Sequence, residues 1–324
     1  MSARSGPPRT FAVVTERVAY DEFAYFHENA EEFGLPYDGP PRVRRATVDL
    51  GDGRALSALV WGDGVAELVL IHGGAQNAHT WDTVALALDR PLVAIDLPGH
   101  GHSDGVADPS RDGRLPSLAA DVATAVRALA PDARAVVGMS LGGLTSIALA
   151  AVAPELVRKL VLVDVTPGVN AEKGKAIMDF VRGPATFPSF DALLARTIEH
   201  NPTRTESSLR RGILHNAEQL DDGTWQWRYR RHDSPLAEDA DVDETVQALG
   251  QERGWEALGA VAVPVMLVRG MRPQSVVDDD DETELRRRQP AARIEHVEEA
   301  GHSVQGDTPV ELAALIADFL DAPA

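Results

Sequence analysis

The chain predicts an α/β fold in which a mostly parallel central sheet is flanked by helices and a helical cap is inserted after the sixth strand. Three observations predict it. Beyond Trp61, short apolar runs closed by Gly, Asp or Pro alternate with helical stretches, the rhythm of a wound parallel sheet. Ahead of them, Gly51-Asp52-Gly53 separates two strand patterns and predicts an antiparallel hairpin. Finally, nearly ninety residues, Pro167 to Trp255, lie between two of the buried runs, which is too many for one crossover helix.

Residues 1–41 read as an N-terminal extension, where Val18, Phe23, Phe26 and Phe33 recur at loosely helical spacing between Glu16 and Phe33. That helix packs on the body, with covering the sheet edge, shaping the cap and forming a homodimer all open to it. Pro36, Pro40 and Pro41 end the pattern, and Arg42–Leu50 and Ala55–Trp61 form the hairpin strands. Val69–Ile71, Leu92–Ile95, Ala135–Val137, Leu160–Val163 and Val265–Val268 are the buried strands, and Ile294–Val297 is the last. Helical stretches fall at Thr80–Leu88, Leu118–Leu129, Leu141–Val152, Glu284–Arg288 and Pro309–Leu320. The core is then 42–167 with 256–324, and the cap is 168–255. Phe180, Phe187, Phe190, Trp225, Trp227 and Tyr229 would give the cap a small helical core, although the alternation in Thr224–Arg231 also suits a strand.

Composition narrows the function. Across 324 residues, 44% hydrophobic and 25% charged content is that of an ordinary folded domain. The 31 Lys+Arg against 50 Asp+Glu give a net charge of −19, which opposes nucleic acid as a partner. With no Cys there is no disulfide, thiolate nucleophile, Cys-held zinc or iron–sulfur cluster, so chemistry must come from oxygen and imidazole. No apolar segment follows Met1 and no run approaches a membrane span, so the expectation is a cytoplasmic protein without a membrane partner.

The strongest motif is Gly138-Met139-Ser140-Leu141-Gly142, a G-x-S-x-G set where a buried strand turns into a helix. The turn holds the serine out of the strand end, and side chains in place of the two glycines would collide with the neighbouring strand and helix. A second strand ends in His72-Gly73-Gly74-Ala75, whose glycines let main-chain N–H groups face an oxyanion; the amides of Gly74 and Leu141 are the predicted pair. His72 is either a substrate-side histidine or a brace for this loop. His302, in Glu299-Ala-Gly-His-Ser303 after the last strand, is the candidate general base that makes the serine nucleophilic.

Taken together these residues resemble the α/β-hydrolase fold family from about Val43 to the C-terminus. Asp96-Leu-Pro-Gly-His-Gly-His-Ser-Asp104 adds to the likeness, with Asp96 and the glycines as turn formers. The resemblance implies a Ser–acid–His triad in that chain order and no metal or cofactor. The usual acid position after the seventh strand is absent, because Gly270 is followed by Met271-Arg-Pro and the first carboxylate downstream, Asp278, opens an acidic run suited to a helix start. A branch of the family resembling small esterases places the acid after the sixth strand, which here is Asp164, with Ser275 in the seventh-strand loop. Asp164 is therefore the favoured acid and Asp278 the alternative.

The implied function is serine hydrolysis of a carboxylic ester, lactone or related small acyl compound through an acyl-enzyme. Carbon–carbon bond hydrolysis, perhydrolysis and cofactor-free lyase chemistry keep the same triad, and a non-catalytic small-molecule receptor is opposed by its completeness. Substrate-binding candidates are His72, Met139, Trp225, Trp227 and Tyr229, and Arg228, Arg230 or Arg231 could pair with a substrate carboxylate.

Overall fold

The computed structural model of the chain describes residues 17–106, 115–169, 172–229 and 244–322. Eight strands make one sheet, in the order β1 (Val43–Asp49), β2 (Ala55–Trp61), β4 (Leu92–Ile95), β3 (Leu68–Ile71), β5 (Ala135–Met139), β6 (Leu160–Val163), β10 (Val265–Gly270) and β11 (Arg293–Val297). Only β2 runs against its neighbours, pairing Val43 with Trp61 at one end of the hairpin and Asp49 with Ala55 at the other. The hairpin closes on Gly51 and Gly53, with φ of 83° and 89°, where a side chain would be strained. Strands β3 to β6 are buried along their whole length, which is why they read as unbroken apolar runs.

Alternate residues of these strands feed two cores. Val69, Ile71, Val93, Ile95, Val136, Leu160 and Leu162 pack under α3 (Leu115–Leu129), α4 (Leu141–Val152) and α8 (Glu244–Gly259), whose Trp255 and Leu258 join this layer. Leu68, Leu70, Leu92, Ala94, Val137, Val161 and Val163 face the other way, against α1 (Phe26–Glu32), α2 (Asp82–Leu88) and α11 (Pro309–Asp321). Period-two alternation thus serves both faces of one sheet.

Between β6 and β10 the chain forms α5 (Lys175–Val181), β7 (Thr186–Phe187), α6 (Phe190–His200), α7 (Glu206–Asn216), β8 (Ala217–Gln219), β9 (Trp225–Trp227) and α8. This insertion is not purely helical: β7, β9 and β8 make a three-stranded antiparallel sheet. The alternation at Trp225-Gln-Trp227 is a strand, which puts both indoles on one face, into a third core with Phe187, Leu193, Ile213 and Tyr229. Arg230 and Arg231 lie outside the described residues.

The expected helix from Glu16 to Phe33 is only α1, because Tyr20 and Tyr25 turn to the insertion while Phe23 and Phe26 pack on the core. Phe26 packs edge-on against Trp61, at 4.9 Å between ring centres, while Tyr20 and Tyr25 meet His215 of the insertion. Glu28 pairs with Arg210, Asn29 accepts from Arg211 Nε at 2.7 Å, and Glu32 pairs with Arg211. Residues 17–35 therefore strap the insertion to the core. Helix α9 (Asp279–Arg288) starts earlier than the sequence suggests, because the acidic run occupies its first turn, where negative charge complements the helix dipole.

The serine turn depends on one close approach. A Cβ on Gly142 would lie 2.2 Å from the carbonyl oxygen of Ile71 and 2.5 Å from that of His72. Gly142→Ala should therefore force β3 and α4 apart, costing about 3 kcal/mol and lowering Tm by roughly 5–10 °C in a thermal melt.

Candidate active site

Ser140 sits between β5 and α4 with φ 51° and ψ −120°, a backbone that only close packing can hold. Gly138 and Gly142 permit that packing: a Cβ on Gly138 would meet the Gly142 carbonyl at 2.4 Å. The loop after β3 comes beside the serine, since a Cβ on Gly73 would lie 3.2 Å from Ser140 Cβ. In this loop Gly73 N donates to Gln76 Oε1 at 3.1 Å and Ala75 N to His100 Nε2 at 3.1 Å. The amide between them, that of Gly74, has no acceptor among the described residues, and neither has that of Leu141. Both predicted oxyanion donors are left open.

His302 follows β11 and is brought to the sheet edge by tight contact with β10. A Cβ on Gly270 would lie 2.2 Å from the Gly301 carbonyl. His302 Nδ1 is 2.8 Å from Asp164 Oδ2, a pairing across 138 residues of sequence, and its Nε2 is buried with no hydrogen-bond partner among the described residues. Asp164 closes β6 with φ 47° and is wholly buried. Its Oδ1 accepts from Gly270 N at 2.9 Å and Ser275 Oγ at 2.6 Å, and its Oδ2 also accepts from Val276 N at 3.1 Å. Such a donor shell fixes the carboxylate in orientation. The sequence shows Ser275 in the loop but gives no sign that Ser275 and the amides of Gly270 and Val276 grip Asp164, because those contacts exist only once the strands are side by side.

Asp278 is elsewhere. It is the N-cap of α9, accepting from Asp281 N at 3.0 Å and pairing with Lys173 at 2.7 Å, with no bond to His302. For His72, of the two roles left open by the sequence, its surroundings fit the brace. It is fully buried, with Nδ1 donating to Gly73 O at 2.7 Å and Nε2 accepting from Leu97 N at 2.9 Å. Burial, followed by the neighbouring His100, pushes its pKa down to about 3, so it stays a neutral brace between two loops.

Met139 is buried in the second core with its sulfur under Gly73, and supports the oxyanion loop from below. Trp225 packs edge-on against Phe190 at 5.0 Å. Trp227 forms part of a cavity wall, and Tyr229 stacks between Trp227 and His100 at 5.7 and 6.5 Å. Asp96 holds a turn, accepting from Ala78 N at 2.7 Å and His102 N at 3.1 Å and pairing with Arg45.

Among the described residues, His79, Asp82 and His215 could offer three metal-ligand atoms, all within 4.8 Å of one another and buried. They are instead tied into a proton-bearing network. His79 Nδ1 is 2.9 Å from Asp82 Oδ2, Tyr20 Oη is 2.8 Å from His215 Nδ1, and the two rings stack at 3.9 Å. Burial alone would lower the His79 pKa, but the Asp82 and Glu22 carboxylates raise it to about 9. Burial, then the charge on His79, keeps His215 neutral.

Comparison with known proteins agrees with this architecture. A family model described as alpha/beta hydrolase fold matches residues 67–309. The esterase Rv0045c of Mycobacterium tuberculosis is 44% identical over 316 residues, covering 94% of this chain and 98% of its own. A crystal structure of that esterase aligns at a TM-score of 0.75 and 42% identity, covering 95% of this chain and 100% of its own. The structure of E-2-(acetamidomethylene)succinate hydrolase aligns at a TM-score of 0.73 and 25% identity, over 87% of this chain and 100% of its own. The 3-hydroxybutyrate-oligomer hydrolase of Cupriavidus necator is 29% identical over 266 residues, 78% of this chain and 88% of the relative. With the sheet order, the serine turn and these matches pointing one way over nearly the whole length, the chain belongs to the alpha/beta hydrolase fold family.

Proposed function

We propose that the chain is a serine esterase acting on small carboxylic esters, with Ser140 as nucleophile, His302 as general base and Asp164 as the triad acid. The observation that carries it is the buried Asp164 carboxylate held at 2.8 Å from His302 Nδ1, while Nε2 of the same ring is left without a partner. With Nδ1–H donated to Asp164, the Nε2 lone pair is free to take the serine proton as Oγ attacks the ester carbonyl. The carbonyl oxygen becomes an oxyanion held by the amides of Gly74 and Leu141. The imidazolium then gives its proton to the leaving alcohol, and water repeats the sequence on the acyl-enzyme.

Residues 168–255 act as the cap over this site. Their contact with the reaction centre runs through the oxyanion loop, where Asn216 Nδ2 donates to Ala75 O at 2.6 Å and Asn77 Nδ2 to His215 O at 3.0 Å. The esterase name of the 44% identical relative supports an ester as substrate. A fluorophosphonate probe should label the protein at one site, with the modified peptide carrying Ser140. Labelling at another residue, or none, would overturn the serine mechanism.

A further inference from the structure

A cavity opens between the insertion, the N-terminal strap and the core. Its lining includes Ala75 and Gln76 of the oxyanion loop and Ser303, the residue after His302. It reaches close to the nucleophile, since a Cβ on Gly73 would be 3.2 Å from both Gln76 Oε1 and Ser140 Cβ. The same cavity is lined by Arg204, in the turn between α6 and α7.

Arg204 differs from most of the arginines withdrawn from solvent; Arg196 is another without a carboxylate, but it donates to Asp179 O at 3.0 Å and lies over the Phe180 ring. Arg45, Arg54, Arg211 and Arg269 each pair with a carboxylate, whereas no carboxylate lies within 4 Å of Arg204 among the described residues. The acids in its neighbourhood are committed elsewhere. Asp307 accepts from Thr203 Oγ1 at 3.0 Å and from Gly301 N at 2.9 Å, and Glu32 pairs with Arg211 and accepts from Thr205. Among the described residues Arg204 donates to Ser208 Oγ alone, and its Nε is buried without a partner. Its guanidinium lies flat on Gly306, where a Cβ would be 2.9 Å from Cζ, so the fork is held in place before any ligand arrives. Burial draws its pKa down, with Asp307 and Glu32 only partly compensating. A planar five-donor cation, fixed at a cavity wall and short of a counter-ion, matches a carboxylate.

Resting on the esterase reading, we infer that the preferred substrate is an ester bearing a second, ionised carboxylate, which Arg204 binds through its guanidinium while the ester group lies at Ser140. Beside it, Gln305 has a buried Oε1 without a partner and its Nε2 3.4 Å from Thr80 Oγ1. Turning that amide over lets Thr80 donate to the oxygen.

The test is a ratio of kcat/KM values, which cancels any general folding defect. p-Nitrophenyl hydrogen glutarate carries the carboxylate on the acyl side, 4-acetoxybenzoate carries it on the alcohol side, and p-nitrophenyl butyrate is the neutral reference. Arg204→Gln should lower the charged-to-neutral ratio for one of the two charged esters by roughly 10- to 100-fold, mainly through KM, and Arg204→Lys should restore part of it. Ratios that do not move in either variant would overturn the proposal. So would a wild-type enzyme that turns over the neutral ester but neither charged one. Turnover of no ester at all would instead remove the esterase reading on which the proposal stands.

Discussion

Ser140→Ala is expected to reduce kcat/KM on p-nitrophenyl esters by a factor of about 10⁴ to 10⁶, with a change in Tm of only a few degrees. The loss is that large because, in the proposed mechanism, the oxygen removed forms the covalent bond. What survives is the rate supplied by the open amides of Gly74 and Leu141 to direct attack by water. The small stability effect follows from the backbone: φ at residue 140 is 51° with either side chain, and the neighbouring glycines are untouched. Stopped-flow or steady-state release of p-nitrophenol, paired with a melt of the same preparation, reads both quantities. A variant retaining a tenth of the wild-type rate would exclude Ser140 as nucleophile.

Asp164→Asn should cost about 10⁴ in kcat, and Asp278→Asn close to nothing. At position 164 the amide has one acceptor oxygen where the carboxylate had two, yet Gly270 N, Ser275 Oγ, Val276 N and His302 Nδ1 all converge on it. Its NH2 group must then face other donors, so this variant should also lose about 1–3 kcal/mol of stability. His302 would additionally turn to its other tautomer, leaving Nε2 protonated and unable to accept from Ser140. At position 278, asparagine is as good an N-cap as aspartate, and only the partly exposed pair with Lys173 is lost. Rates and melts of the two variants side by side separate a broken proton path from a weakened fold. Equal losses in both would remove Asp164 from the triad.

The parts of this molecule that are readable from sequence are those written in neighbouring residues. An apolar run bounded by glycine or aspartate gives a buried strand, and Gly138, Ser140 and Gly142 announce their turn because the constraint acts within five positions. The helix before the hairpin is less legible, since Val18, Phe23, Phe26 and Phe33 recur at loosely helical spacing, yet Phe23 and Phe26 pack on the core while the intervening Tyr20 and Tyr25 turn to the insertion. The insertion's sheet is built from pieces of two or three residues, too short to rise above the surrounding pattern. Other contacts join residues more than a hundred positions apart: Ser275 with Asp164, or Tyr20 with His215. No local pattern can encode such a meeting, and only the strand order places its members together.

The strap has a bearing on how the protein is made. Arg211 is the partner of Asn29 across 182 residues, so a ribosome adding about 5–20 residues per second exposes the N-terminal segment for about 10–40 s before its partner exists. During that interval the β1–β2 hairpin and the first parallel strands can already pair, while Tyr20, Tyr25 and the acidic side chains of α1 wait in solvent. Closure of the strap is thus a late, long-range event in biogenesis. The net negative charge of that waiting segment helps to keep its aromatic rings from premature association with other chains.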